Sequence, residues 1–248
     1  MWNGKTIAVI LPTYNEKDSI AEVVHRFEAL GFVDDILVIN NNAAPGTSEQ
    51  VAGTSAREIV ETRQGYGAAI RRGLREVDAD LVCVCEPDGT FSPEDLQKLL
   101  PFTVECGFVV GSRTVSNFIW DGANMGFGLQ WGNWGVAKMI ELLYNSSYLS
   151  DVGCTFRVLS RECVQDISPF FTVDGSSFGL EMLLVALLRR TRLVQVPVNY
   201  HPRVGDSSVT GHLGKTVVLG LQMVRMVLRM RARADTVRQV RTGRALRR

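Results

Sequence analysis

DLVCVCEPDG, residues Asp80–Gly89, sets five apolar residues ahead of a Glu-Pro-Asp-Gly segment. An apolar run this short, and alternating Val with Cys, reads as a strand buried on both faces, as in a parallel sheet covered by helices. Two carboxylates, Glu86 and Asp88, follow at its carboxyl end. In open α/β sheets ligands bind outside the carboxyl ends of the strands. These two residues are therefore candidates for chemistry as well as for a tight turn.

Upstream the same grammar repeats. TIAVILP (6–12) is a second buried strand, ended by Pro12 and opening into PTYNE. Ile20, Val23, Val24, Phe27 and Leu30 recur at helical spacing behind a cap at Asp18 or Ser19, and Gly31 ends that helix. DDILVIN (34–40) is a third strand, followed by the Asn-rich loop NNNAAPGTSE, a helix near Glu49–Thr54 and a short strand near Glu58–Glu61. RQGYGAAIRRGLREV (63–77) is a glycine turn running into a helix. Downstream, Ser92-Pro93-Glu94-Asp95 opens another helix with proline in its first turn, and GFVVGSR (107–113) is a strand. Strands alternating with helices imply one α/β domain built on a mostly parallel sheet.

The second half changes texture. Residues 115–135 carry Trp120, Trp131 and Trp134 among glycines and read as a surface loop or acceptor lid, with a helix from about Val136 to Tyr144. CTFRVLS (154–160) reads as a strand, Gly179–Arg190 as a helix, and RLVQVPVNYHPR (192–203) as a long strand whose internal Pro197 suits a sheet edge.

The composition is that of an ordinary globular enzyme, 46% hydrophobic and 21% charged with a net charge of +1. That small total hides an asymmetry: ten basic residues and one acidic residue lie between Lys215 and Arg248. Lys215, Gln222, Arg225, Arg229 and Arg233 form one polar stripe, with Val217, Val218, Leu221, Val224 and Leu228 on the remaining surface. A basic amphipathic helix of this kind meets an anionic membrane face, the body of the protein or a second subunit. Residues 1–213 are expected to form the catalytic domain, and 214–248 the helix and a disordered tail. The five cysteines lack the spacing of a disulfide or zinc framework and read as core thiols. No apolar run approaches the ~20 residues of a spanning helix, and Ile7–Leu11 is too short for a leader, so a cytoplasmic chain is expected, at most peripheral to a membrane.

The strand ends gather polar residues: Pro12, Tyr14 and Glu16 after the first, Asn40, Asn41 and Asn42 after the second, Glu86 and Asp88, then Arg113. Amides, two carboxylates and a cation at one edge are what a nucleotide diphosphate and its divalent metal require, since Mg²⁺ and Mn²⁺ bind through one or two carboxylates plus substrate phosphates. LPTYNE, the loop ending in PGTSE, QGYGAAIRRGL, EPDGTF, GSR, DVGCTFRVLSRE, FGLE and YHPRVGDSS occur together and in order across residues 6–210. This set resembles family 2 glycosyltransferases of the GT-A fold, and is most similar to the dolichyl- and polyprenyl-phosphate sugar synthases.

The resemblance implies an inverting, metal-dependent transfer of a sugar from a nucleoside-diphosphate sugar, with UDP favoured over GDP. Pro12, Tyr14, Glu16 and Asn40 would line the nucleotide, together with Asp88. Glu86 and Asp88 would hold Mg²⁺ or Mn²⁺ as the family's Asp-x-Asp pair does, and Arg113 and Arg203 would meet phosphate oxygens. Asp151 and Glu181 fall where relatives place acceptor-side acids, with Glu181 the first candidate base for a hydroxyl acceptor. A lipid phosphate needs no base. The chain departs from the pattern at Asn40, usually acidic; at Thr90, where a Gln ligand stands in the polyprenyl branch; and at Ser207-Ser208, where a Lys is usual. The expected partners are a nucleotide sugar and a lipid-phosphate or small-molecule acceptor, with no nucleic acid. The alternatives are a soluble hydroxyl acceptor, a silent nucleotide-sugar-binding subunit and a nucleotidyltransferase. A dehydrogenase is disfavoured because no G-x-G-x-x-G follows the first strand.

Overall fold

The computed structural model describes residues 1–123, 127–146, 148–204 and 213–239, without the side chains of 127–129, 213–217, 219 and 239. The first half runs β1 (Ile7–Thr13), α1 (Lys17–Glu28), β2 (Asp35–Asn40), α2 (Thr47–Ala52), β3 (Arg57–Val60), α3 (Tyr66–Glu76) and β4 (Leu81–Val84). Every residue of β1 and β4 is buried, which matches their unbroken apolar runs. α1 buries Ile20, Val23, Val24 and Phe27, the face set by their spacing. α3 can approach β1 closely because Gly73 lacks a side chain: a Cβ there would lie 2.5 Å from Ile10.

The second half runs α4 (Leu96–Leu99), β5 (Phe108–Ser112), α5 (Phe127–Tyr144), β6 (Arg157–Ser160), α6 (Arg161–Ile167), α7 (Phe178–Leu188), β7 (Leu193–Pro197), α8 (Leu213–Ala232) and α9 (Ala234–Gln239). The described strands form one seven-stranded sheet in the order β3-β2-β1-β4-β6-β5-β7. All run parallel except β6, which enters antiparallel between β4 and β5. The expected single α/β domain with a mostly parallel sheet is what forms.

Several local expectations need correction. α5 begins at Phe127, not near Val136, so Trp131 and Trp134 lie on a helix and not in a loop. Its three glycines read as loop signals, yet α5 is held by packing on α8, where the Tyr144 hydroxyl donates to the Val227 carbonyl at 2.8 Å. α6 went unread, although Ser160 caps it by accepting from the Cys163 N–H at 3.2 Å. β7 stops at Pro197, on the sheet edge where a missing N–H is tolerated. The tail, expected to be disordered after Asp235, first forms α9, which continues to Gln239 and buries Ala234 and Val237. α8 packs on α5 and α7 through buried Val227, while Val218, Leu221 and Leu228 remain exposed. Residues 124–126 of the expected lid, the Ser207-Ser208 pair, His212 and the tail from 240 lie outside the described residues.

Candidate active site

From β1 the sheet grows through β2 and β3 on one side and through β4 on the other. The carboxyl ends of β1 and β4 therefore face a crevice between oppositely directed crossovers, the usual ligand position in such sheets. A cavity of about 460 Å³ opens there. It is lined by Pro12, Tyr14 and Glu16 after β1, by Glu86 and Asp88 after β4, by Arg113 after β5, and by Arg203. Seven of the ten candidate residues thus share one space.

The acidic centre has an internal logic. Glu16 Oε2 accepts the N–H groups of Tyr14 and Asn15 at 2.7 and 2.9 Å, tightening the turn after β1. Its Oε1 accepts from Arg203 Nη2 at 2.8 Å. The other arm of Arg203 lies 3.4 Å from Asp88 Oδ2. Asp88 is 2% exposed, and its Oδ1 accepts from both the N–H and the hydroxyl of Thr90 at 2.9 and 2.6 Å. Thr90 therefore orients Asp88. The Glu86 carboxylate takes no hydrogen bond among the described residues. Burial, with the charges of Asp88 and Glu16 added, raises its pKa from the ordinary carboxylate value to about 8, against the opposing pull of Arg203 and Arg113.

Two hard oxygen donors, one unshared and one oriented, fit Mg²⁺ or Mn²⁺ better than a soft metal. No cluster of three or more His, Cys, Asp or Glu that could hold a metal is found among the described residues. Glu86 and Asp88 would therefore need substrate oxygens to complete a coordination sphere, the arrangement a nucleotide diphosphate supplies.

Arg113 is fixed from behind. Its Nε and Nη2 donate to the two oxygens of Asp151 at 2.8 and 3.0 Å, and its backbone N–H adds a third bond at 2.9 Å. Asp151 is fully buried. Burial alone would raise its pKa, but the charge and hydrogen bonds of Arg113 hold it below the ordinary value. Asp151 is therefore a positioning residue for Arg113, and the expectation that it faces an acceptor as a base is corrected.

Two more expectations change. Asn40 is spent on its own loop: its amide donates to Ser48 Oγ and Glu58 Oε1 at 3.1 and 2.8 Å, and its carbonyl accepts the Ala43 N–H. Its neighbour Asn41 lines the cavity and accepts from the Gly65 N–H at 2.8 Å, setting the turn before α3. Glu181 is 1% exposed and lies outside the cavity lining. Its oxygens accept the Thr172 hydroxyl at 2.6 Å and the N–H groups of Thr172 and Val173 at 3.0 to 3.1 Å. A carboxylate so occupied braces a loop onto α7 and does not line the cavity.

The structure also recruits residues that strand-end reasoning passed over: Tyr66 at the start of α3, Asn133 on α5, Thr155 and Arg157 ahead of and on β6, and Ser177 before α7. Gly65 marks this wall, since its φ of +142° and the 2.2 Å between a notional Cβ and the Asp174 carbonyl admit only glycine. Arg157 was legible only as a strand residue in CTFRVLS. Its position at the rim follows from the antiparallel register, which sets it opposite Val84 and Val110 near the carboxyl ends of β4 and β5.

Comparison with known proteins places the chain in a family. Residues 8–167 match the glycosyl transferase family 2 profile. The chain is similar to the glycosyltransferase AglJ of Haloferax volcanii, 28% identical over 203 residues that cover 81% of this chain and 65% of AglJ, so it spans less than two thirds of that relative. It is also similar to the dolichyl-phosphate hexose transferase of the same organism, 25% identical over 228 residues, 92% of this chain and 96% of the relative. Glucosyl-3-phosphoglycerate synthase of Mycobacterium tuberculosis, solved with Mn²⁺, UDP-glucose and phosphoglyceric acid, superposes at a TM-score of 0.73 with 18% identity, covering 92% of this chain and 80% of that one. That likeness carries the GT-A fold. With the family profile matched over most of its length, the chain belongs to glycosyl transferase family 2.

Proposed function

We propose that the protein moves a sugar, with inversion, from a UDP-sugar to a polyprenyl phosphate, using Mg²⁺ or Mn²⁺ held by Glu86 and Asp88. One observation carries the reading: these carboxylates sit at the carboxyl end of β4 in the cavity, against Arg203, which is already paired with Glu16. A bound divalent cation would neutralise charge developing on the departing diphosphate. Arg203 and Arg113 would meet the phosphate oxygens, Arg113 pre-oriented by Asp151. Pro12 and Tyr14 would flank the nucleotide.

The acceptor reading follows from proton accounting. A hydroxyl acceptor needs a base, whereas a phosphate is already an anion. Among the described carboxylates lining the cavity, Glu16 and Asp88 are held by hydrogen bonds and by Arg203, and Glu86 is the expected metal ligand. The dolichyl-phosphate hexose transferase supports the same acceptor class. No described helix is long and apolar enough to cross a membrane. Contact with a lipid surface would instead use α8, whose exposed Val218, Leu221 and Leu228 lie among Arg225 and Arg229.

The test is calorimetric binding of UDP with and without Mn²⁺, followed by transfer of labelled sugar to undecaprenyl phosphate and slow release of free sugar without acceptor. Mn²⁺-dependent UDP binding that disappears in Glu86→Gln, together with donor turnover, is the expected result. Equal UDP binding with and without metal would overturn the reading. Binding without any donor turnover would point to a silent binding subunit.

A further inference from the structure

Two guanidinium groups are largely withdrawn from solvent on the cavity wall, Arg113 in part and Arg157 almost fully, and only one has a counter-ion among the described residues. Arg113 has Asp151. Arg157 is 2% exposed and forms no ion pair among the described residues. Its Nε donates to the Cys154 carbonyl at 2.8 Å, and its Nη1 to the Gly179 carbonyl. Nη2 has no partner among the described residues, yet Arg157 lines the cavity. Nη2 is held against the start of α7, where a Cβ on Gly179 would lie 2.9 Å from it. That helix of 11 residues begins at Phe178 without a side-chain cap from Ser177; the Phe178 and Leu180 N–H groups already donate to the Gly175 and Ser177 carbonyls, which leaves the Gly179 N–H as the donor at its start on the same wall. Beside them Thr155 Oγ1 is buried and also without a partner. Burial lowers the Arg157 pKa, and the charge has the face of the Phe108 ring, 5.9 Å from Cζ, but no carboxylate paired with it among the described residues.

A guanidinium withdrawn from water without a carboxylate partner is disfavoured unless a ligand supplies the opposite charge. The guanidinium fork suits carboxylate and phosphate oxygens. We propose that Arg157, Thr155 and the start of α7 form an oxyanion-recognition subsite, which receives a carboxylate or phosphate that a substrate carries besides the donor diphosphate. The inference rests on the glycosyltransferase reading and adds a specificity determinant to it. The oxyanion comes either from the sugar, as in a uronic acid, or from the acceptor phosphate.

The experiment compares the wild type with Arg157→Gln and Arg157→Lys. It reads affinities for UDP, UDP-glucose and UDP-glucuronic acid in the presence of Mn²⁺, and the KM for undecaprenyl phosphate. Arg157→Gln should leave UDP affinity nearly unchanged. It should cost about tenfold in one of two places: the preference for UDP-glucuronic acid over UDP-glucose, which identifies the sugar, or the acceptor KM, which identifies the acceptor. Arg157→Lys should recover part of the loss. A folded Arg157→Gln that changes neither quantity, or that weakens UDP equally, overturns the subsite. If Arg157→Gln does not fold, Gly179→Ala keeps the charge but displaces Nη2, and should cause the same selective loss. Unchanged discrimination in Gly179→Ala would then be decisive against the subsite. Failure of the wild type to bind UDP with Mn²⁺ would instead strike the glycosyltransferase reading itself.

Discussion

Arg203 reaches Glu16 across 187 residues of chain, with Nη2 2.8 Å from Oε1, and in the same pose turns Nη1 toward Asp88. A metal held by Asp88, as proposed, would compete with this cation for one carboxylate. Arg203→Ala should bind Mn²⁺ alone more tightly, because a repelling charge is gone. It should bind UDP in the presence of Mn²⁺ about tenfold more weakly, because a phosphate contact is gone. Opposite signs in the two titrations are the signature. A loss in both would mean that Arg203 only holds the fold.

Glu181 is expected to act on stability and not on turnover. Its four hydrogen bonds all come from donors, so a Gln side chain would turn an N–H₂ toward at least one of them. Glu181→Gln should lose about 1–3 kcal/mol in urea unfolding, with kcat little changed in the folded fraction. A variant of wild-type stability with abolished turnover would return Glu181 to the chemistry.

Asp151→Asn should be the more damaging change. It strips the counter-ion from the part-buried Arg113, and breaking one partner of a fully buried pair costs about 3–5 kcal/mol, an upper bound here. Asp151→Asn with Arg113→Gln should be more stable than Asp151→Asn alone, measured as a double-mutant cycle, since the orphaned charge is removed. Strict additivity of the two losses would show that the pair is not coupled.

The acid limb of stability should carry the mark of Glu28. Hydrogen bonds from Ser55 first, and then from His25, hold its pKa at about 2 against an ordinary 4.5. A carboxylate with a depressed folded pKa adds stability that is fully present above the unfolded value. That stability is lost as pH falls from about 4.5 toward 2. Glu28→Gln should therefore be less stable than the wild type at pH 7, with the gap closing near pH 2. A gap of equal size at both pH values would exclude the linkage.

The sheet was legible where its information is local. The runs at Ile7–Thr13, Asp35–Asn40 and Leu81–Val84 announce buried parallel strands, and the acids after the last announce the rim. What escaped depends on contacts distant in sequence. Nothing in CTFRVLS says that it inserts backwards between two parallel strands, and that reversal alone puts Arg157 at the cavity. Asn40 and Asn41 differ by one position along a strand end, hence by the face to which each side chain belongs. Glu181 presents an acid near an acceptor site in one dimension and a loop brace in three. The glycines of α5 suggest a loop to any local rule, and it is tertiary burial, of Val136, Ala137 and Ile140 in the core and of the helix against α8, that favours the helix.

The reversed strand also bears on how such a catalyst can diversify. Because β5 ends at the rim and β6 starts from it, the whole excursion from Arg113 to Phe156 begins and ends at the mouth of the crevice. Insertions or exchanges within that excursion can remodel the wall beside Arg157 without moving a hydrogen bond between β1, β2 and β4. Apart from Arg113 and the Asp151 that positions it, that wall can thereby drift while the β1 and β4 side of the crevice is inherited unchanged.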